Sequence, residues 1–507
     1  MKRVVGLLFS LLASLLLAGS ASAAPSGKLT IARGGWVDTL DPHLQTSFVL
    51  TETLPYLFDR LLRYDPKTGE ILPHLAESYR YVSPILLEFK LRRDVKFSNG
   101  ERLTAEAVKF SLDRINDPKN KSTQREYFRN VSKMEVVDEH TVRIHLKEPD
   151  ALIVRMVAAW GFIAPPKYYG SHDNAHLARN PVGSGPYKLS QWRMRQEIVL
   201  EAREDYWIPG LPKIKTGVIK EIPEETTRVA ALLTGAVDMI DRVAPQMVER
   251  IRQNPDLEIL VHFAPRVASV NLIVKEKPLS DVRVRQALNY AVDRDSIIKH
   301  VLHGYSRKVP LLQIPESFGQ NPNVQPYPFD PERAKKLLAE AGYAKGFDID
   351  LYVPVGRYFM GETVADAVSG YFRKVGVRAT VKLIEWGAFR RLLNARWKPE
   401  SKGFMWFGAR FDTPLDADWM MGMVTPETAF GGFNDPEINR LVALGRTTTD
   451  TEKRRAIYYE LNLMLKEKAP VVFMYQESAV YAKKRHVVVP DHVDGPRLPF
   501  IEGEVKR

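Results

Sequence analysis

The stretch Phe89–Ile115, FKLRRDVKFSNGERLTAEAVKFSLDRI, changes its hydrophobic period halfway along. Leu87, Phe89 and Leu91 alternate with Glu88, Lys90 and Arg92, the period-two pattern of a strand with one buried and one wet face. Phe97-Ser98-Asn99-Gly100 then reads as a turn. After it, Thr104 is placed to cap a helix. Glu106 in the first turn suits the positive end of the helix dipole, and Val108, Leu112 and Ile115 recur at helical spacing.

The same alternation of strands and helices extends in both directions. Val142, Ile144 and Leu146 around Arg143 and His145 predict a further half-buried strand. A helix is expected from about Asp281 to Val292, burying Val284, Ala287, Leu288 and Ala291. Asp330 is an N-cap with Pro331 at the first helical position; Leu337, Leu338 and Ala341 share a face and Gly342 offers a left-handed stop. A third helix spans roughly Thr451 to Lys468, burying Ile457, Leu461, Met464 and Leu465, and must end before Pro470. Val471 to Tyr475 reads as a buried strand. The fold class is α/β, without a long linker, low-complexity tract or fixed repeat.

Length and composition fit several packed units: 507 residues, 45% hydrophobic and 26% charged. Cysteine is absent, which excludes disulfides, thiol nucleophiles, Cys-ligated metal and a lipid-modified N-terminal cysteine. Lys2-Arg3, the apolar run Val4–Ala18 and Ala21-Ser22-Ala23 form a secretory leader, with cleavage expected after Ala23. The run is too short to span a bilayer, for which about 20 residues are needed, so the mature protein is expected to be exported and periplasmic. Loss of Lys2 and Arg3 lowers the net charge from +12 to +10. Basic and acidic residues are interspersed rather than clustered, which argues against a nucleic-acid surface.

Catalytic signatures are missing or out of order. There is no G-x-S-x-G elbow and no H-E-x-x-H. Ser296-Ile297-Ile298-Lys299 matches S-x-x-K, but both K-T-G triplets, Lys67-Thr68-Gly69 and Lys215-Thr216-Gly217, precede it, the reverse of penicillin-recognising enzymes. Ser296 is better placed in the first turn of an ordinary helix. His172 and His176, and His300 and His303, have helical spacing, yet zinc usually takes three or four ligands and neither pair has an obvious third fixed beside it, although Asp173 adjoins one. No catalytic residue, metal or cofactor is expected.

Taken as segments, the chain resembles the peptide, nickel and opine-binding proteins that serve ABC importers, family 5 of the extracellular solute-binding proteins. The resemblance rests on Thr39-Leu40-Asp41-Pro42-His43, Asp59-Arg60-Leu61-Leu62, the stretch Asp65–Tyr79, and above all Phe89–Ile115, although Ser98-Asn99-Gly100 replaces the family's more frequent His-Asp-Gly. It continues through PVGSGPYKL from Pro181, the spacing of Leu232, Gly235 and Asp238, VRQALNYAVDRDSII from Val284, AKKLLAEAGY from Ala334 and EWGAF from Glu385. The resemblance implies a two-lobed periplasmic binding protein fold (type II, cluster C-like) with an extra domain in the first lobe. Lobe one would comprise 24–57, 182–272 and 474–507, the additional domain 58–181, and lobe two 273–473. The function implied is capture of a short peptide or peptide-sized solute by cleft closure, and delivery by a monomer to the membrane permease of an ABC transporter.

The same resemblance implies the site. Thr46, Ser47 and Phe48 of lobe one, Trp386, and the run Trp406, Phe407, Gly408, Arg410 and Asp412 match cleft-lining segments. Tyr127 and Tyr475 are cleft candidates that equally suit a core, and a core place is the lesser alternative for Trp386, Phe407 and Phe411. Arg410 stands where peptide binders carry an aspartate for the ligand's ammonium group. Three readings are open: Arg410 grips a carboxylate or phosphate, Asp412 takes over the amine, or Arg410 points to solvent. An anionic non-peptide such as an opine or glutathione-like compound, and a nickel chelate, are alternative ligands. A secreted hydrolase is the competing class, and a sensor-presenting receptor or chaperone would share the fold.

Overall fold

A computed structural model describes residues 24–506 except 66–67, 397, 399–401, 423, 427–429 and 491–498. The expected leader lies outside the described residues, as does the Phe48 side chain.

Phe89–Ile115 adopts the strand, turn and helix that its periods predict. Leu86–Leu91 lies between Ala76–Ser83 and Thr141–Leu146, and Val131–Asp138 completes a four-stranded antiparallel sheet. Leu87 and Phe89 are buried with Val108, Leu112 and Ile115 of the helix Ala105–Asn116, because one apolar face of each element closes on the other. Glu88 departs from the expected wet face: it is buried between Arg80 and Arg143, whose guanidinium groups donate to it at 2.8 and 2.9 Å. Gly100 takes φ +89°, a left-handed conformation that favours glycine. Thr104 occupies the cap position with extended backbone, although its hydroxyl accepts no capping hydrogen bond.

A second, 11-stranded sheet forms the body. Its path runs Val377–Ile384, Phe347–Pro354, Met405–Phe411, Leu257–Leu272, Val471–Lys484, Met239–Ile240, Ser26–Arg33, Ile214–Glu221, Glu197–Ala202 and Tyr187–Arg193, with Ser306–Lys308 paired to Val471–Lys484 off the path. Two apolar clusters cover opposite faces at one end, built from residues between 267 and 475. Two others cover the far end, drawing on 29–257 and on Val480, Ala482, Val487 and Phe500. These are the two lobes, joined by the antiparallel strands Leu257–Leu272 and Val471–Lys484. The second of these runs well past the expected end at Tyr475, because its later residues pair with Leu257–Phe263. The pairing shifts register between Phe263 and Val267, where a bulge bends a strand.

Helices occur where apolar spacing, and at Asp330 a cap, predicted them. Asp281, Asp330 and Asp450 accept hydrogen bonds from the backbone N–H groups of Arg283, Arg333 and Lys453 at 2.9 Å each, opening Val282–Ala291, Pro331–Glu340 and Thr451–Lys468. Ser296 ends a short helix, Arg294–Ser296, and its N–H donates to the Asp293 cap at 2.9 Å. His172 and His176 fall on either side of a helix break and stack at 4.2 Å. His303 adopts φ +53° beyond the helical turn, so its expected partnership with His300 on one helix face does not form.

Candidate functional site: a crevice at the carboxyl ends of the strands

Phe347–Pro354, Val377–Ile384 and Met405–Phe411 share one direction, so the segments following them gather at one edge of the second lobe. Ligands in open α/β sheets bind at such carboxyl edges, where loops and unpaired backbone converge. Trp386 and the Arg410–Asp412 corner emerge here, with Arg357 stacked on the Trp386 ring at 3.7 Å.

The opposing wall is built by an anchored loop. Arg114 grips buried Asp41 through two hydrogen bonds, of 2.8 and 2.7 Å. His43 sits beside them, accepting from Arg114 at Nδ1 and donating from Nε2 to the Phe162 carbonyl at 2.9 Å. Burial, helped by the adjacent guanidinium, lowers its pKa to about 4, so the imidazole is neutral as this pattern requires. Gln124 donates to the carbonyls of Pro42 and Gln45 at 2.8 and 3.0 Å, tying the loop to the turn Thr123–Phe128. Thr46 is thereby set beside Thr123, at 3.4 Å between hydroxyls, and hydrogen-bonds the Tyr127 side chain. Ser47 is exposed and its hydroxyl accepts locally from Leu50 N–H at 3.3 Å.

Arg410 lies where the two walls approach. Its guanidinium sits 4.5 Å from the centre of the Trp419 ring, and Trp419 meets the edge of Tyr127 at 5.5 Å. The Trp419 indole N–H donates to the Phe411 carbonyl at 2.8 Å, which fixes the ring. Among the described residues no carboxylate forms an ion pair with Arg410. Burial pulls its pKa down to about 10, against the opposing influence of Tyr127, Asp412 and Asp418, so it remains a cation at neutral pH. Thr46, Tyr127 and Arg410 are thus brought together, and Trp419 is a fourth member that no sequence pattern singled out. Trp386 stands on another part of the rim, half-buried against Phe389 at 5.7 Å.

The remaining expected contacts are corrected by their burial. Trp406 packs against Phe389 and Phe430 at 5.2 and 6.2 Å, and Phe407 against Tyr358 at 6.0 Å; both are core. Gly408 is buried and leaves room for the Trp406 indole, which a Cβ would strike. Tyr475 is buried in the core of the second lobe. Asp412 is wholly enclosed and accepts from Ser317 Oγ and from the Asp416 N–H at 3.0 Å. Burial pushes its pKa up to about 7. It holds a corner of the backbone together and presents no oxygen to the crevice.

Behind that corner is an ion cluster that joins the additional segment to the second lobe. Arg155 reaches Asp416 at 3.0 Å and donates to the Pro414 and Leu415 carbonyls at 3.1 and 2.8 Å. Arg454 takes Asp416 in a bidentate grip with both contacts at 2.7 Å. Asp416 therefore balances two guanidinium groups in a buried setting, the arrangement that lets ions persist away from water.

Comparison with known proteins agrees with this architecture. The glutathione-binding protein GsiB of Escherichia coli O157:H7 is 27% identical over 496 residues, covering 95% of this chain and 95% of that protein. The binding protein AgaA from A. tumefaciens R10, solved in complex with agropinic acid, is 29% identical with a TM-score of 0.74, covering 95% of this chain and 99% of that one. HbpA2 from Haemophilus parasuis shares the fold at 22% identity, with a TM-score of 0.83 and coverage of 95% and 100%. Residues 70–432 match the family model of bacterial extracellular solute-binding proteins, family 5 Middle. The chain belongs to the bacterial extracellular solute-binding proteins of family 5.

Proposed function

We propose that this protein is the periplasmic solute-binding component of an ABC importer, and that it captures a peptide-sized solute bearing a carboxylate. Arg410 carries the reading: a charged guanidinium, largely removed from water, backed by Trp419 and faced by Tyr127 and Thr46, with no ion-pair partner among the described residues. A planar guanidinium takes a carboxylate through two parallel hydrogen bonds, and the flanking rings exclude water at little cost in side-chain entropy. The alternative in which Asp412 receives an amine is disfavoured by its enclosure.

Closure follows from the same arrangement. Tyr127 and Thr46 belong to one wall, Arg410 and Trp419 to the other, so a solute touching both favours the shut state by its differential affinity for it. The hinge is the pair of crossing strands, whose pairing shifts register between Phe263 and Val267. The closed monomer is then the form delivered to a membrane permease, and the leader is removed after Ala23, which intact mass of the exported protein checks. The compounds named with GsiB and AgaA, glutathione and agropinic acid, make the first panel. Calorimetry with each should give 1:1 binding without turnover, weakened roughly ten- to hundredfold by Arg410→Gln. Unchanged affinity in that variant would place the side chain outside the site, and product formation would restore the hydrolase.

A further inference from the structure

The unit built on the four-stranded sheet is fastened on two sides. Toward the first lobe, Arg114 holds Asp41, Arg203 donates to the Lys96 carbonyl at 3.0 Å, and the Ser98 N–H donates to the Gly183 carbonyl at 2.9 Å. Tyr206 and Trp207 donate to buried Asp59 at 3.1 and 2.9 Å. Apolar packing continues across this junction, where Phe58, Phe162 and Tyr169 share one cluster with Tyr187 and Leu200. When the hinge bends, the sheet unit therefore travels with the first lobe.

Toward the second lobe the contact is of another kind. Arg155, on the helix Ile153–Trp160, donates to the Pro414 and Leu415 carbonyls, pairs with Asp416, and lays its guanidinium 5.2 Å from the centre of the Phe318 ring. Close by, the Ala151 N–H donates to the Arg446 carbonyl at 2.8 Å. The turn at Gly69 seats so tightly that a Cβ there would lie 2.9 Å from the Glu316 carbonyl oxygen. Tyr64 and Trp419 pack against the apolar clusters on both sides. A seam made of carbonyls, an ion pair and two rings can part and re-form in water, whereas a continuous apolar junction such as that with the first lobe resists parting.

Arg155 also shapes what it holds. The carbonyls it takes belong to the corner between the strand of Arg410 and the helix Ala417–Met421, which carries Trp419. Leu415, in that corner, adopts φ +49°, a left-handed conformation unfavourable for a residue with a Cβ. Resting on the reading that solute is caught by closure of the lobes, we propose that Arg155 is both a latch and a positioning residue: it holds most of the solute-free protein shut, and it sets Arg410 and Trp419 opposite Tyr127. The latch consists of contacts of the chain with itself, so closure is favoured before a solute adds its own contacts. Apparent affinity rises with the fraction already shut. The same contacts must break before a solute can leave, so the latch acts chiefly on dissociation.

The chain has no cysteine, so spin labels can be paired at Glu106→Cys and Lys453→Cys, exposed positions on the sheet unit and on the second lobe. The mature protein freed of retained solute is expected to show mainly the short separation, and the same protein carrying Arg155→Gln mainly a longer one; saturating glutathione should return the variant to the short one. Arg454 still grips Asp416 in this variant, so the second lobe keeps its buried ion pair. Glutathione should leave Arg155→Gln roughly ten- to hundredfold faster than wild type, with association not slowed and affinity roughly tenfold weaker. Equal separations in solute-free wild type and Arg155→Gln would overturn the latch. Hydrogen exchange needs no variant: the Ala151 amide, whose hydrogen bond crosses the seam, should exchange in solute-free wild type roughly tenfold below the unfolded-chain rate, and exchange at that rate would equally overturn it. If wild type does not bind glutathione, the peptide-sized reading loses that support, while the solute-free separations and the Ala151 exchange still decide the latch.

Discussion

Replacing Asp412 with asparagine should change the pH dependence of stability far more than the affinity for solute. Burial raises this carboxyl from 3.8 to about 7, so between those values the folded protein holds a proton that the unfolded chain has released. Its contribution to stability is therefore fully present below about pH 4 and is lost as pH rises through about 7. At about 1.4 kcal/mol per pH unit the whole interval is worth about 4 kcal/mol, of which about 3 kcal/mol falls between pH 5 and pH 8. The asparagine amide cannot ionise, yet its carbonyl can still accept from the Asp416 N–H. The variant should thus exceed wild type in stability by about 1–2 kcal/mol at pH 5 and by about 4 kcal/mol at pH 8. Urea unfolding of the mature protein at pH 5, 6, 7 and 8 and fixed ionic strength reads this directly, because every other titrating group is common to both proteins. Parallel profiles would refute the buried, protonated carboxyl. A tenfold loss of tripeptide affinity in the same variant would return Asp412 to the role of amine partner.

Two further perturbations separate positioning from contact. Arg114→Ala leaves Asp41 buried and without its bidentate partner, a change that costs about 3–5 kcal/mol in comparable sites; denaturant midpoints should fall accordingly, and solute affinity should fall too because the loop carrying Thr46 loses its anchor. Trp386→Ala should weaken solute binding while leaving the melting temperature of the solute-free protein nearly unchanged, since the ring is half-buried under Arg357 rather than enclosed; unchanged affinity with a large drop in melting temperature would make it a core residue instead.

The sequence-based site combined residues of two kinds that a linear reading cannot tell apart. In Trp406–Asp412 the alternation of side chains along a strand puts Trp406 and Gly408 on one face and Phe407 on the other, and apolar clusters cover both. Only at the strand's end does the cover stop, and there Arg410 emerges. Aromatic and glycine positions in a motif therefore marked the strand that supports the site, and the last residues marked the site. Trp419 carried no legible signal, because it acquires its place from a partner distant in sequence, Tyr127.

Local order was decided by the residues themselves. Period-two and period-three-to-four hydrophobic patterns, with aspartates at helix starts and proline or left-handed residues at helix ends, specify strands and helices through short-range sterics and hydrogen bonds, and these elements appear where the patterns place them. The family likewise follows from segments in a fixed order. What tertiary structure alone decided is which charges are left without partners. Asp41, Asp416 and Asp412 are carboxylates of the same chemistry, yet two are matched by arginines from distant segments and the third is enclosed with a hydroxyl and an amide. Arg410 is left over from that pairing. Desolvation and Coulomb attraction act between groups close in space, whatever their separation along the chain, so the charges available to a solute emerge only when the fold has consumed the others.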